Sequence, residues 1–354
     1  MAGVFRFSNA VSDIRKFIQT YKLLFSQFRN THDFTHDDAT KALIENGLVS
    51  SSGAIGTEAI KRSRRQDRSR DPLYNQLKMY SEIYRMLGWY LPGSKRTQFF
   101  IPEYGEYIYE AKGALLKKHF ELNVLHIVSP NPHVHIKGNN TLRPFPLVLK
   151  LFNELEGILH RDEIILTVLA CENDRDPNYT DKAVNYINSI RGNAKKLETE
   201  YEALMKKNGI KSKAVLRNYT RFLLGSLKWL DYAHPKRLKN IYGEKPVNMY
   251  VQTDLAKQRG LELTNCPDIR LEDLVEYDLD TKSAFSIYSL YLHLERIGYE
   301  VSDPETQEEM QKLEEMCRPI LERFNIRRES PFLFFSYQEC SKDIIANCQN
   351  LLDD

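Results

Sequence analysis

The sequence lacks any apolar run approaching the roughly 18 residues of a membrane span, and Met1-Ala2-Gly3-Val4-Phe5-Arg6 leads into no signal-like apolar segment. A cytoplasmic protein with no membrane partner is expected. Cysteine is scarce: Cys171, Cys266, Cys317, Cys340 and Cys348 are odd in number and nowhere spaced as C-x-x-C, which supports neither a disulfide framework nor a zinc ribbon. Reduced thiols are the default. No G-x-x-x-x-G-K-[ST], G-x-S-x-G or H-E-x-x-H occurs, so nucleotide hydrolysis, serine hydrolysis and zinc proteolysis lose their usual markers. The one local histidine cluster, His133-Val134-His135, has no acidic or thiol neighbour at ligand spacing and reads as a strand-end pair rather than a metal site. No cofactor is expected within the chain.

Net charge is also low, +2 over 354 residues, but it conceals a split. Residues 1–260 hold 41 Lys and Arg against 27 Asp and Glu, a balance of +14, whereas residues 261–354 hold 9 against 21, a balance of −12. A cationic surface attracts polyanions and an acidic one repels them. Nucleic acid would therefore bind to the first three quarters. The composition, 42% hydrophobic and 28% charged, is ordinary for globular domains, and the length suits two or three of them.

What is present centres on residues 61–109. Six of the ten residues from Lys61 to Arg70 are cationic, five of them arginine, whose fork fits a phosphate or a guanine edge. Asp71 and Pro72 then open a helix on which Leu73, Leu77, Tyr80, Ile83, Tyr84 and Leu87 recur at three- and four-residue spacing down to Gly88. Trp89-Tyr90-Leu91 and Gln98-Phe99-Phe100-Ile101 read as two short strands about a Pro92-Gly93 turn carrying Lys95 and Arg96, and Pro102-Glu103 starts a further helix. The order is that of a winged helix-turn-helix. Arginine-rich loops are also often only solvated surface, so recurrence matters.

The motif recurs downstream. After a proposed linker at 129–146, Leu147 to Leu155 reads as a helix, Gly157 to His160 as a turn and Arg161 to Ala170 as a second helix, the pattern of a helix-turn-helix or of a short helical hairpin. Helices over 180–191 and 195–207 precede a second basic approach, Lys211, Lys213, Arg217 and Arg221. A helix ending near Trp229, a basic tip at Pro235-Lys236-Arg237-Leu238-Lys239, a return strand Val247 to Val251 and a helix capped at Thr253 complete the repeat. Upstream, Ile14 to Phe28 is an amphipathic helix, Thr35-His36-Asp37-Asp38 caps another, 57–61 and Tyr107 to Phe120 read as further helices, and Val124 to Val128 reads as a short strand. The expected fold is predominantly α with small β wings (α+β): tandem winged helix-turn-helix subdomains at 1–128 and 129–262, then an acidic helical connector at 263–354.

In that last region Asp280-Thr281-Lys282 is expected to cap a helix running to Ile297. A long helix over 305–324, an aromatic strand over 330–337 and a final helix come after it. Asp268 with Asp280 and Lys282 is the sharpest catalytic candidate, because a metal-dependent nuclease sets two carboxylates on a divalent ion with a lysine near the attacking water. A helical setting argues for capping instead.

The order of features resembles the DNA-recognition region of AlwI-like type IIS restriction endonucleases and their nicking relatives. Its carriers are Ser69-Arg70-Asp71, Phe100-Ile101-Pro102-Glu103-Tyr104-Gly105, Arg143-Pro144-Phe145-Pro146-Leu147-Val148-Leu149, Arg217-Asn218-Tyr219-Thr220-Arg221-Phe222 and Val251-Gln252-Thr253-Asp254-Leu255-Ala256, short words spread over about residues 35–300. The resemblance implies recognition of a short asymmetric duplex site and cleavage outside it by an Mg²⁺-dependent nuclease farther along the chain. Only about thirty residues follow the connector, so a nuclease domain or subunit elsewhere is expected, with the chain monomeric on DNA. Contacts are expected from Arg62, Arg64, Arg65, Arg68 and Arg70; from Asn75, Gln76 and Lys78 on the exposed face of the first recognition helix; and from Lys95 and Arg96. Arg143, Lys211, Lys213, Arg217, Asn218, Arg221, Lys236, Arg237 and Lys239 serve the second unit. Two other classes stay open: a tandem winged-helix regulator or protein-docking module, and a self-sufficient nuclease using Asp268, Asp280 and Lys282.

Overall fold

A computed structural model describes residues 3–8, 11–29, 31, 33–47, 72–92, 98–101, 105–125, 127, 129, 131, 134, 140–174, 176–265, 284–286, 328–329 and 332–336. These are mostly helical with small antiparallel sheets, an α+β fold. In chain order they form α1 (Ile14–Phe28), β1 (Phe34–Thr35), α2 (His36–Glu45), α3 (Pro72–Met86), β2 (Leu91–Pro92), β3 (Gln98–Phe100), α4 (Glu106–Glu110) and α5 (Gly113–Leu125). Then come α6 (Pro144–Glu154), β4 (Ile158–His160), α7 (Arg161–Ile164) running into a π-helical turn (Ile165–Leu169), α8 (Tyr179–Ile190), α9 (Ala194–Lys207), α10 (Lys213–Tyr219) and α11 (Arg221–Trp229). The remainder are β5 (Ala233–Leu238), β6 (Val247–Gln252), α12 (Asp254–Asn265), β7 (Ala284–Ser286), β8 (Arg328–Glu329) and β9 (Phe332–Ser336).

Two compact units divide the chain, and they interleave: one takes residues 1–20, 44–87 and 120–267, the other 21–43, 88–119 and 268–354. The first unit is built around Phe222 on α11, whose ring meets Phe7, Phe17, Phe120 and Phe145 at centroid separations of 5.2 to 6.3 Å. Phe17 lies 4.5 Å from Tyr84 of α3, and the Tyr84 hydroxyl donates to the Phe17 carbonyl at 2.7 Å. Edge-on and tilted ring pairs of this kind add about 0.5–1.5 kcal/mol each beyond the area they bury. Gly225 permits the close approach, since a Cβ there would lie 2.8 Å from the Ser12 carbonyl oxygen.

In the second unit β1, β3 and β2 form an antiparallel sheet in that order, with Phe34 opposite Phe99 and Leu91 opposite Phe100. Phe34 stacks on Phe28 at 4.5 Å and meets Tyr90 edge-on at 5.2 Å. Thr35 caps α2: its hydroxyl accepts from the Asp38 N–H at 3.2 Å, and the Asp38 carboxylate accepts from the Thr35 N–H at 2.9 Å. A further sheet, β7-β9-β8, pairs Phe285 with Phe335.

Back in the first unit, β4-β6-β5 repeats the order of β1-β3-β2: a short leading strand beside the last strand, and the two hairpin strands together. Ile158 faces Val251, and six pairs run from Ala233 with Gln252 to Leu238 with Val247.

The helices over 14–28, 36–45, 72–86, 180–190 and 195–207 fall where the spacing of apolar residues puts them. Five local expectations are corrected. Val124 and Leu125 are not strand but the buried end of α5, continuing the spacing of Phe120. The expected single helix over 107–120 is broken into α4 and α5 at Gly113, whose φ of +56° is left-handed. Ile158 to His160 is a strand, not a turn, because β6 arrives some ninety residues later to pair with it; the reversal is made by Glu156 and Gly157, with φ of 56° and 75°. Pro235 to Leu238 belongs to β5 rather than to the hairpin tip, and Pro235 is tolerated because β5 is an edge strand. Finally, residues 284–286 are extended, paired with an aromatic strand, and not helical. The arginine loop, the expected helices at 57–61 and 305–324, and the last helix lie outside the described residues.

Candidate nucleic-acid interface

Hairpin β5–β6 owes its two faces to strand alternation. Val247 and Met249 turn toward an apolar cluster with Ile190, Leu197 and Ile158, and Met249 is fully buried. The other face carries Arg237 opposite Asn248 and Pro235 opposite Tyr250. Lys236, Arg237, Lys239, Lys245 and Asn248 are exposed. Among the described residues none of the four cations has an ion-pair partner.

The hairpin tip is anchored by a buried acid. Glu163, in the first turn of α7, is completely buried in its side chain. Its carboxylate accepts from Arg191 Nε at 2.8 Å and Nη2 at 3.0 Å, from the His160 backbone N–H at 2.7 Å, and from the hydroxyl of Tyr242 at the tip. Burial first, then the Glu163 charge, pushes the Tyr242 phenol far above its ordinary range, so it stays a donor. Next to it Asp162 accepts both arms of Arg217, at 3.0 and 2.7 Å. Arg161 donates to the Thr220 hydroxyl at 2.7 Å and to the Arg217 carbonyl. Burial lowers the Arg161 pKa, and the nearby Arg217 and Arg221 lower it further, while Tyr250 opposes them. Guanidinium groups thus gather at the α10–α11 junction, next to the exposed face of the hairpin.

Of the other residues expected to touch nucleic acid, Lys211 and Arg221 are exposed, and Asn218 is half-buried. Lys213 pairs with Glu198 and lies 5.8 Å above the Tyr201 ring. Arg143 is held at 3.1 Å by Asp174, which also accepts its backbone N–H at 2.9 Å. On α3, Lys78 is exposed and Asn75 half-buried, but Gln76 is not on the exposed face: it is 8% exposed and donates to the Tyr80 hydroxyl at 3.1 Å. Arg62, Arg64, Arg65, Arg68, Arg70, Lys95 and Arg96 fall outside the described residues, as do Asp268, Asp280 and Lys282. Residues 284–286, just downstream, are extended rather than helical.

The sequence reading missed the anchor. Arg161, Asp162, Glu163, Arg191 and Tyr242 span eighty residues and show no shared motif. A partial signal was legible: His160-Arg161-Asp162-Glu163 has the spacing of a capping box, and the structure forms one with histidine as the cap.

No helix among the described residues is long and apolar enough to cross a membrane. No family model matches the sequence, and no curated protein does. Among solved structures the chain is similar to that of restriction endonuclease FokI, with a TM-score of 0.36 and 9% identity over 95% of this chain and 64% of that one. The chain thus spans 64% of the length of the chain it matches.

Proposed function

We propose that this chain binds double-stranded DNA sequence-specifically, as the recognition part of a type IIS restriction or nicking endonuclease. The observation that carries this is the exposed hairpin β5–β6. Lys236, Arg237, Lys239 and Lys245 stand free there among the described residues, while Arg143, Arg191 and Arg217 are taken up by carboxylates. Three further features support the reading. Guanidinium groups gather beside the hairpin, the positive balance covers residues 1–260, and the strand order of β1-β3-β2 is repeated in β4-β6-β5, as tandem winged helices require. The chain reads a short asymmetric site as a monomer, and an Mg²⁺-dependent nuclease domain or subunit cuts outside it.

The test is a gel-shift selection from a random duplex pool with this chain, at two salt concentrations. Enrichment of one short asymmetric sequence, with affinity falling steeply as salt rises, supports the proposal. Enrichment of a palindrome by a dimer points to a regulator, and absence of duplex binding at low salt sinks the proposal.

A further inference from the structure

We infer that Asn248, acting with Arg237, reads base edges from the exposed face of hairpin β5–β6. This rests on the DNA-binding proposal above and goes beyond it by separating bases from phosphates.

Asn248 is opposite Arg237 in the antiparallel register, so the two side chains leave the same face, with Cβ atoms about 5 Å apart. The next residue on β6, Met249, points the other way into the apolar cluster and is fully buried. The alternation fixes the direction of Asn248: a one-residue slip would bury its amide and expose Met249. Both Asn248 and Arg237 are exposed, and neither has a side-chain hydrogen bond or ion pair among the described residues.

The pair has the chemistry of direct readout. An arginine fork matches the two acceptors on the major-groove edge of guanine, and an asparagine amide, one donor and one acceptor, matches adenine. A two-stranded ribbon fits the major groove, which is about 12 Å wide. Side chains about 5 Å apart can reach adjacent base pairs, stacked about 3.4 Å apart. Lys239 and Lys245 flank the pair toward the tip and supply phosphate contacts. A neutral amide between cations releases no counterion, so what it adds is discrimination.

The experiment repeats the duplex selection with the full chain as wild type, Asn248→Ala and Arg237→Ala, and then measures affinity against salt on the wild-type consensus and its single-base variants. For Asn248→Ala the expected result is loss of preference at one base pair, about tenfold weaker binding to the consensus, an unchanged salt slope and an unchanged melting temperature. Arg237→Ala should relax the adjacent position. An unaltered consensus with unaltered discrimination in Asn248→Ala, or a loss uniform across all sequences, overturns the inference while leaving DNA binding intact. A wild-type chain that enriches nothing overturns the DNA proposal itself, and this inference with it.

Discussion

Sheets β1-β3-β2 and β4-β6-β5 share a strand order but are secured differently. The first is short, and rings hold it: Phe34 sits among Phe28, Tyr90 and Phe99, and His36 meets Phe99 edge-on at 4.7 Å. The second is longer, yet β5 buries little, since His234 through Arg237 are all exposed. Apart from Ala233, which is buried, and Leu238, which packs on the apolar cluster, that edge strand has little apolar surface with which to fix its own position. Its tip is fixed through the Tyr242 ring in the apolar cluster and through hydrogen bonds among Tyr242, Glu163 and Arg191. The contrast shows how a cationic strand can stay exposed for a ligand and still be held in one pose. Hydrogen bonds to a buried charge are directional, whereas ring packing tolerates small rotations.

The largest effects should come from removing each anchor. Glu163→Ala leaves Arg191 and the Tyr242 hydroxyl without their acceptor and should lower stability by about 3–5 kcal/mol in urea denaturation. Phe34→Ala should cost a similar ~3–5 kcal/mol by cavity formation. If Glu163→Ala proved nearly neutral, the distinction between the two sheets would fail.

Arg217 comes next. Its side chain is 46% exposed and that of Asp162 9%, so screening reduces the pair's worth. Arg217→Ala should cost about 1–2 kcal/mol. If Arg217 braces α10 against α7, the slope of log affinity against log salt stays at the wild-type value. A slope shallower by about 0.9 would make it a phosphate contact. In the first sheet, Thr35→Ala removes the cap of α2 and should cost about 1 kcal/mol, read as a shift in denaturation midpoint.

The smallest effect is that of His160, read through pH. Burial, opposed by Asp162 and Glu163, holds the His160 pKa below its usual 6.5, and Nδ1 already accepts the Asp162 N–H at 3.2 Å. The unfolded imidazole therefore takes up a proton first. The contribution is complete above pH 6.5 and is lost as pH falls below it. His119, pushed down to about 4 by burial and then by Lys118, acts with the same sign over a window from 6.5 to about 4. His160→Gln should flatten the upper part of this acid limb in pH-dependent urea midpoints.

The helices were legible because their apolar spacing is local: Leu73, Leu77, Tyr80, Ile83 and Tyr84 mark α3 without knowledge of any partner. The second hairpin was legible as a strand pair, but the first was set early, since Trp89 and Tyr90 precede β2 and Pro92 belongs to it rather than to the turn. Strand β4 was not legible, since Ile158-Leu159-His160 is too short to carry a period and becomes a strand only beside β6. Within the candidate site, charge was visible and its use was not. Arg217 and Arg237 look alike in sequence, and only folding brings Asp162 to one and, among the described residues, leaves the other without an ion-pair partner. Asn248 went unnoticed for a similar reason, because its facing depends on the register with β5.

The exposed cations of β5 and the tip, without ion-pair partners among the described residues, are the centre of the proposed interface. Their most direct test is duplex affinity against salt for wild type and the double variant K239A/K245A, which spares the base-reading pair Arg237 and Asn248. The expected result is weaker binding with a salt slope shallower by about 1.8, close to 0.9 for each phosphate no longer neutralised. Equal slope and equal affinity in the two proteins would contradict DNA binding through this hairpin.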